Sequence, residues 1–340
     1  MRKRLLVIAD PGCPASTRIR VTQFESYLQS RGVTLQTFEW PAKGPGRPAA
    51  LAALLGCVER AAAVVFQRYL PPPAMLRRIR RRARRLVYDF DDAIIYSEST
   101  HGKPSLKLRR LWRFRQMMRC CDAVSGGNEY LATIARRHGA SDIHVLPTTI
   151  DLSEFERHPL GAELSADRST EPIIGWIGLP STLPYLEGLR RPLERLSQEV
   201  PGLKIRVISG QPPNLGRVPV EFVQWTAEAE AQEIRRLRVG LAPLLDDSWT
   251  RGKCARRLTQ YMAAGVPAVA SPVGAQAEVT DYGAALPANT DDEWIQSVRR
   301  IVDDASVGAG IATRGRQMVR ERFAAHVWAE PLHNIWCGSV

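Results

Sequence analysis

The chain has 340 residues, of which 44% are hydrophobic and 24% are charged, as in globular proteins and unlike disordered ones. Its six cysteines form no Cys-x-x-Cys pair and stand near no histidine at metal-ligand spacing, which favours a reducing cytoplasm over a disulfide framework. The basic N-terminus is followed by only five apolar residues, and no apolar run reaches the roughly 18 residues that span a bilayer. We therefore expect a cytoplasmic protein.

Residues 1–150 predict a first α/β domain. Short apolar, β-branched runs at 5–9, 34–38, 63–67, 86–90, 123–125 and 143–146 are typical of buried strands. Helical periodicity lies between them, at 17–31, 49–60, 73–84, 106–119 and 129–138. This alternation predicts a parallel sheet covered by helices on both faces.

A polar segment, 151–171, interrupts the alternation and is interpreted as the connection between domains. The pattern restarts with predicted strands at 173–177, 203–208, 220–224, 239–242 and 268–270, and helices at 183–198, 227–236 and 255–264. We assign 172–322 to a second Rossmann-like domain and 323–340 to a C-terminal helix that packs back on the first. The predicted fold class is therefore two doubly wound parallel sheets facing a cleft, where ligands of such folds bind.

The segment 239–274 carries the strongest signal for binding. A strand leads through an acidic, glycine-containing loop into a helix start, whose free N–H groups suit a phosphate. Lys253 and Arg257 are four residues apart and can face one anion, with Arg251 nearby. Gln260, one turn later, can bond a ribose hydroxyl. The alternative is a surface helix with solvated arginines.

This segment, RGKCARRLTQYMAAGVPAVASPVG, resembles the donor site of family 4 glycosyltransferases, which are retaining enzymes of the GT-B fold. Four further segments, at 88–94, 127–132, 145–155 and 315–323, resemble other parts of that family and occur in the same order along the chain. The resemblance implies a glycosyltransferase that binds a nucleotide sugar, UDP- or GDP-linked, and needs neither a cofactor nor a metal.

The chain departs from the family in its carboxylates. The glutamate that binds ribose falls on Gln260, and the first glutamate of the spaced pair falls on Gly252. Asp247, or its neighbour Asp246, is the candidate replacement. The loop after strand 173–177 lacks a basic residue, so the resemblance assigns the phosphate contacts there to Gly178, Ser181 and Thr182, with an ordinary helix cap as the alternative.

The loop after the first strand offers Gly12 for close backbone approach to the donor, with Arg18 preferred over Arg20 as an anion ligand; the alternative places both arginines in solvent. Asp91 and Asp92 end a strand at the functional edge of the sheet. In an extended chain they point to opposite sides, so we expect one in the cleft, where it orients or deprotonates the acceptor hydroxyl.

Three further residues, His101, Asn128 and Glu129, are interpreted as acceptor-side; Asn128 and Glu129 fit a helix N-cap equally well. The acceptor itself is expected to be a glycan or a lipid-linked acceptor, consistent with a role in cell-envelope polysaccharide.

The basic charge is confined to the first domain. Residues 1–150 contain 26 Lys and Arg against 11 Asp and Glu, a balance of +15, whereas the rest of the chain balances at −3. The segment 75–86 is rich in arginine, and in the segment 105–121 basic residues alternate with Leu, Trp and Phe. Both patterns predict peripheral contact with an anionic membrane. The alternative for 105–121 is a helix whose apolar residues face the core.

Two other functions stay open. The missing glutamate is compatible with a protein that binds a nucleotide sugar without transferring it. The basic domain is compatible with non-specific nucleic-acid binding, although no nucleic-acid motif accompanies it, and we predict none.

Overall fold

The strands of the first domain form a six-stranded parallel sheet. The computed structural model describes residues 3–38, 40, 47–156 and 172–338. The strands are β1 (Lys3–Ala9), β2 (Val33–Phe38), β3 (Ala63–Gln67), β4 (Leu86–Phe90), β5 (Ala123–Gly126) and β6 (Ile143–Val145), in the order β2-β1-β3-β4-β5-β6. The helices are α1 (Pro14–Arg20), α2 (Glu25–Ser30), α3 (Arg47–Arg60), α4 (Pro73–Arg80), α5 (Leu108–Cys120), α6 (Glu129–Arg137) and α7 (Ser153–Glu156).

The second sheet repeats this architecture. Its strands are β7 (Ile173–Ile177), β8 (Lys204–Ser209), β9 (Val220–Gln224), β10 (Val239–Ala242), β11 (Ala268–Ala270) and β12 (Leu286–Pro287), in the order β12-β11-β10-β7-β8-β9. Its helices are α8 (Leu183–Glu187), α9 (Arg190–Glu199), α10 (Glu230–Arg235), α11 (Arg256–Ala264), α12 (Ala275–Asp281), α13 (Asp291–Asp303), α14 (Ala305–Met318) and α15 (Ala325–Cys337). The predicted fold class, two doubly wound parallel sheets with a helical C-terminus, is confirmed.

The first sheet is apolar on both faces because its strands are covered on both sides. Leu6 and Ile8 pack in the cluster that contains α3, α4 and α5 residues, whereas Leu5 and Val7 pack in the opposite cluster. That second cluster includes Leu332 and Trp336 of α15. The C-terminal helix therefore contributes to the core of the first domain, and the chain passes between the two domains twice.

Several boundaries differ from the prediction. The helix expected at 17–31 is two helices, because the backbone leaves the helical conformation at Val21 (φ −126°, ψ −67°). Arg20, Val21 and Phe24 are all buried around this break. The helix expected at 183–198 is likewise divided into α8 and α9, and α12 and the two-residue β12 were not predicted. Most of the expected connection, from residue 157 to 171, lies outside the described residues.

No helix in the described part of the chain combines the length and the apolarity needed to cross a bilayer.

Candidate functional site: the cleft between the two sheets

A cavity of about 480 Å³ lies between the two domains. Its lining comes from loops that follow the carboxyl ends of β1, β3, β4, β6, β7, β10 and β11, where ligands of doubly wound sheets bind. Among the predicted site residues it brings together Gly12, Asp91, Asp92, Ser181, Thr182, Lys253 and Arg257. The remaining candidates are placed elsewhere, as described below.

Both adjacent carboxylates face this cavity, so the expectation that only one of them would is wrong. β4 ends at Phe90, and the chain bends at Asp91 and Asp92 instead of continuing as an extended strand. Arg68 Nη1 donates to Asp91 at 3.1 Å and also to Asp92, and Ser16 Oγ donates to Asp91 at 2.7 Å. One guanidinium therefore holds the pair.

Arg68 is a site residue that the sequence did not reveal. It follows β3 with a left-handed backbone (φ +60°), which is unfavourable for a side-chain-bearing residue and recurs at functional sites. Burial alone would lower the pKa of its guanidinium, but Asp92 and Asp91 outweigh that effect and raise the pKa. Its Nε is buried with no hydrogen-bond partner among the described residues.

Lys253 crosses the cleft and joins the two domains. Its Nζ lies 3.0 Å from Asp92 Oδ1 and 4.7 Å from the ring centre of Trp249, within the range of a cation–π contact. Burial would lower the pKa of the ammonium, but Asp92 raises it above its usual value. Burial would likewise raise the pKa of Asp92, but Lys253 and Arg68 lower it. Both groups are therefore charged at neutral pH.

Arg257, in the first turn of α11, lies against the loop after β7. Its Nε donates to Ile177 O at 2.5 Å, and its guanidinium stacks 4.6 Å from the ring centre of Trp176. Burial lowers its pKa, but an arginine stays protonated. A Cβ on Gly178 would lie 2.5 Å from the Trp176 ring and 2.8 Å from Arg257 Nη2, so only glycine permits this contact.

The charges are unevenly divided across the cavity. The wall from the second domain carries three cations, Lys253, Arg256 and Arg257, and the described lining residues on that side include no carboxylate. The opposite wall carries Arg68 together with Asp91, Asp92 and Glu98. An anion is therefore favoured against the second domain, at the helix start of α11.

Gly252 is an interdomain contact. A Cβ at this position would lie 2.6 Å from Ala93 N and 2.7 Å from Ala93 Cβ, across the cleft. The position of the family's first glutamate is thus filled by the backbone of the first domain, and a glutamate there would force the domains apart.

The two aspartates of the loop before α11 form their hydrogen bonds and ion pairs with other residues of the same loop. Asp247 Oδ1 accepts from the backbone N–H groups of Trp249 and Thr250 at 2.8 and 2.9 Å, which caps the turn at Thr250–Gly252. Arg251 is exposed and forms a two-pronged ion pair with Asp246, at 2.6 and 3.0 Å. Neither Asp247 nor Arg251 lines the cavity.

The two arginines of α1 lie in different environments, and neither lines the cleft cavity. Arg20 is buried and pairs with Asp89 at 2.5 Å, while its Nη1 donates to Leu146 O. Arg18 is exposed and lines a neighbouring groove of about 470 Å³ beside Thr17, Thr37 and Trp40, outside the cleft cavity.

Two of the three acceptor-side candidates lie outside the cleft cavity. Asn128 caps α6 through Leu131 N, and its Nδ2 donates to the backbone oxygens of Arg251 and Lys253 at 3.2 and 3.1 Å, so it joins α6 to the loop before α11. Glu129 is exposed and lines a separate groove beside α15. The side chain of His101 lies outside what the structure describes.

Gln260 is buried in the second turn of α11, where its Nε2 donates to Glu230 Oε1 at 2.7 Å. Glu230 is itself buried and was not expected from the sequence. Other cavity residues without a sequence signal are Arg256, Trp249 and Tyr185, whose hydroxyl bonds Ser99 of the first domain at 2.8 Å.

Within the described residues, no group of three His, Cys, Asp or Glu side chains is arranged to hold a metal ion. Metal independence stays a prediction.

Paired six-stranded parallel sheets, a cleft between their carboxyl edges and a C-terminal helix returning to the first domain define the GT-B architecture, and the expected resemblance to GT-B glycosyltransferases is confirmed. Residues 173–304 match the family model described as "Glycosyl transferases group 1". This match and the fold support glycosyl transfer as the class of activity.

Several solved structures are similar to this chain in fold, at low sequence identity. Sucrose-phosphate synthase from Thermosynechococcus elongatus has 18% identity and a TM-score of 0.73, with 98% of each chain covered. HepE from Anabaena, in complex with UDP and glucose, has 14% identity and a TM-score of 0.70, again with 98% of each chain covered. WaaG, a glycosyltransferase of lipopolysaccharide biosynthesis, has 13% identity and a TM-score of 0.69, covering 99% of this chain and 100% of WaaG. A search of curated proteins found no match.

Proposed function

We propose that this protein transfers a sugar from a UDP- or GDP-sugar to a glycan or lipid-linked acceptor, with retention of configuration and without a metal. The observation that carries the proposal is the wall of three cations, Lys253, Arg256 and Arg257, at the start of α11. A diphosphate supplies the matching charge. UDP and UDP-glucose are the ligands named for the Anabaena structures of similar fold.

In the proposed reaction the bond between the anomeric carbon and the diphosphate breaks, and positive charge develops on the sugar. The acceptor hydroxyl oxygen forms the new bond to that carbon on the face from which the diphosphate leaves, and the hydroxyl proton passes to the departing diphosphate. Lys253 and Arg257 would neutralise the leaving diphosphate, where charge grows in the transition state. Gly178, Ser181 and Thr182 lie at the loop beside Arg257 and would add backbone or hydroxyl contacts. Gly12, across the cavity, leaves room for close backbone approach to the donor.

The acceptor is proposed to enter along the wall of the first domain, past Asp91 and Asp92. Because the pKa of Asp92 is lowered, its carboxylate is a weak base and is better suited to hold a hydroxyl than to deprotonate it. Asp91 accepts hydrogen bonds from Ser16 and Arg68, which fix its carboxylate. The lone pairs that these bonds leave unused can orient an acceptor hydroxyl.

An anionic membrane is the proposed source of a lipid-linked acceptor, consistent with a cytoplasmic protein peripheral to the cell membrane. α5 buries Leu111, Phe114, Met117 and Met118 in the core. Leu108 and Trp112, one turn apart, are nevertheless 73% and 53% exposed, and Leu106 is 42% exposed. Apolar side chains surrounded by basic residues suit the interface of an anionic bilayer.

The proposal is tested by thermal-shift screening of the purified protein against UDP-, GDP-, ADP- and dTDP-sugars, followed by an assay of nucleotide release with membrane lipid extracts as acceptor. Selective stabilisation by one nucleotide sugar, and release that survives EDTA, are the expected results. Failure of all four donors to stabilise the protein would contradict the proposal.

Binding without transfer is the second candidate, because Gly252 leaves no carboxylate at the position of the family's first glutamate. It predicts tight donor binding with no acceptor-dependent release of nucleotide in the same assay.

A further inference from the structure

The amide of Gln260 has a defined orientation. Its Nε2 donates to Glu230 Oε1 at 2.7 Å, and because carboxylate oxygens accept hydrogen bonds, the nitrogen must face Glu230 and the carbonyl must face away. Gln260 is 8% exposed, and its Oε1 has no hydrogen-bond partner in the described part of the chain. Gln260 lies one turn after Arg256, a cavity-lining residue on the same face of α11.

Glu230 is held on both of its oxygens. Trp225 Nε1 donates to Oε2 at 2.8 Å, opposite the bond from Gln260, and Arg256 Nη2 lies 4.0 Å from Oε1. Glu230 is 7% exposed and lies in the first turn of α10. The carboxylate is therefore fixed, and it can act on a ligand only through its partners.

We propose that Glu230 is the positioning residue of the nucleoside end of the donor site. It holds the amide of Gln260 so that the carbonyl oxygen accepts a hydrogen bond from a ribose hydroxyl. The charge of Glu230 polarises the amide through its N–H group and strengthens Oε1 as an acceptor. The carboxylate that the family places on α11 is thus supplied from α10 and relayed through a glutamine. This inference rests on the proposed function.

The test compares UDP with 2′,3′-dideoxy-UDP by calorimetry on the full-length protein, with GDP and its dideoxy analogue if the donor screen selects guanine. Glu230→Gln and Gln260→Ala are each expected to weaken UDP binding about tenfold, since one hydrogen bond to ribose is lost. Neither variant should change the affinity for the dideoxy nucleotide by more than about twofold, because that ligand lacks the hydroxyls. Combining the two substitutions should add no further loss.

The exchanged pair, Glu230→Gln with Gln260→Glu, keeps a donor–acceptor bond between the two positions and returns an acceptor to residue 260. It is expected to restore UDP affinity to within about threefold of the parent. Glu233→Gln is the matched control on α10, because Glu233 pairs with Arg206 and Arg236 instead. It should leave both nucleotide affinities unchanged.

Equal losses for UDP and the dideoxy nucleotide in Glu230→Gln, or parental UDP affinity in Gln260→Ala, would overturn this inference and leave the proposed function intact. Failure of the parent protein to bind any nucleoside diphosphate would overturn the proposed function and this inference with it. Melting temperatures of all variants identify any loss that comes from unfolding.

Discussion

Lys253 of the second domain and Asp92 of the first are joined across the cleft by an ion pair of 3.0 Å, and Arg68 binds the same aspartate. The contact connects the loop before α11 to the edge of the first sheet. The principal candidate cation of the donor site is therefore paired with a carboxylate of the first domain. Under the proposed function, a donor diphosphate is expected to compete with Asp92 for Lys253.

The ion pair between Asp92 and Lys253 predicts a pH-dependent contribution to the stability of the folded protein. The folded protein lowers the pKa of Asp92, so the stabilisation is complete above the unfolded value of about 4 and is lost as the pH falls through the folded pKa. Asp92→Asn should lower the free energy of unfolding by about 2 kcal/mol at pH 7, since two partly buried cations lose a partner.

Urea denaturation between pH 7 and pH 3 measures this effect. The difference between parent and Asp92→Asn should be constant from pH 7 to about pH 4 and should shrink below that, as the unfolded chain takes up the proton first. Asp246→Asn, which removes an exposed partner of Arg251, is the control and should cost little at any pH. A difference that stays constant from pH 7 to pH 3 would show that the charge of Asp92 is not responsible.

Gly252→Glu should reduce nucleotide-dependent activity at least about tenfold, although it restores the residue type found in the family. The reason is steric, because a Cβ would lie 2.6 Å from Ala93 N. Gly188→Glu is the control: its backbone is helical (φ −62°) and the atom nearest to an added Cβ is at 3.4 Å. Nucleotide release by the two variants is the measurement, and a gain of activity in Gly252→Glu would contradict the packing argument.

The exposed apolar residues of α5 should anchor the protein to anionic vesicles. Replacing Leu108 and Trp112 by serine is expected to lower binding to phosphatidylglycerol vesicles at least about tenfold in flotation assays, because buried apolar area is lost. Replacement of both residues leaves the helix's buried face, including Leu111 and Phe114, unchanged. Unaltered flotation would refute this membrane surface.

The arginines after Met75 should add an electrostatic contribution to the binding of anionic vesicles. Arg80, Arg82 and Arg85 are engaged with Asp122, Glu59 and Ile335 O, so removing them would also disturb the fold. Four others are exposed with no side-chain partner among the described residues: Arg77, Arg78, Arg81 and Arg84. At about 1 kcal/mol each near an anionic surface, their replacement by serine should lower vesicle binding at least tenfold.

A charge-matched control removes four exposed arginines of the second domain: Arg191, Arg217, Arg300 and Arg320. Equal loss of vesicle binding in both quadruple variants would mean that net charge, and not this face, is responsible. Duplex DNA added as a competitor tests the prediction that nucleic acid is not a ligand: vesicle binding should persist.

Much of the fold could be predicted from the sequence because buried parallel strands are continuous apolar runs, as at Leu5–Ile8 and Val239–Ala242. β12 was missed because two residues carry no periodicity. The helix break at Val21 directly follows Arg20, which is buried against Asp89 on a distant strand, a contact that local pattern does not reveal.

The candidate site was only partly predictable. Lys253 and Arg257 lie at a helix start that the local sequence pattern predicts, and both line the cleft. Arg68 and Glu230 gain their importance from contacts with distant residues, Asp92 and Gln260, and no local feature marks them. The paired orientation of Asp91 and Asp92 likewise depends on a bend that Arg68 stabilises from another strand.

The central claim, that a nucleoside diphosphate binds at the start of α11, is tested most directly by calorimetric titration of UDP and GDP into the parent protein and two variants. Lys253→Ala should weaken binding of the preferred nucleotide by about ten- to a hundredfold with the fold intact, because a charge-assisted contact is lost. Arg251→Ala, which removes an exposed arginine outside the cavity, should bind as the parent does. Parental affinity in Lys253→Ala would contradict the account.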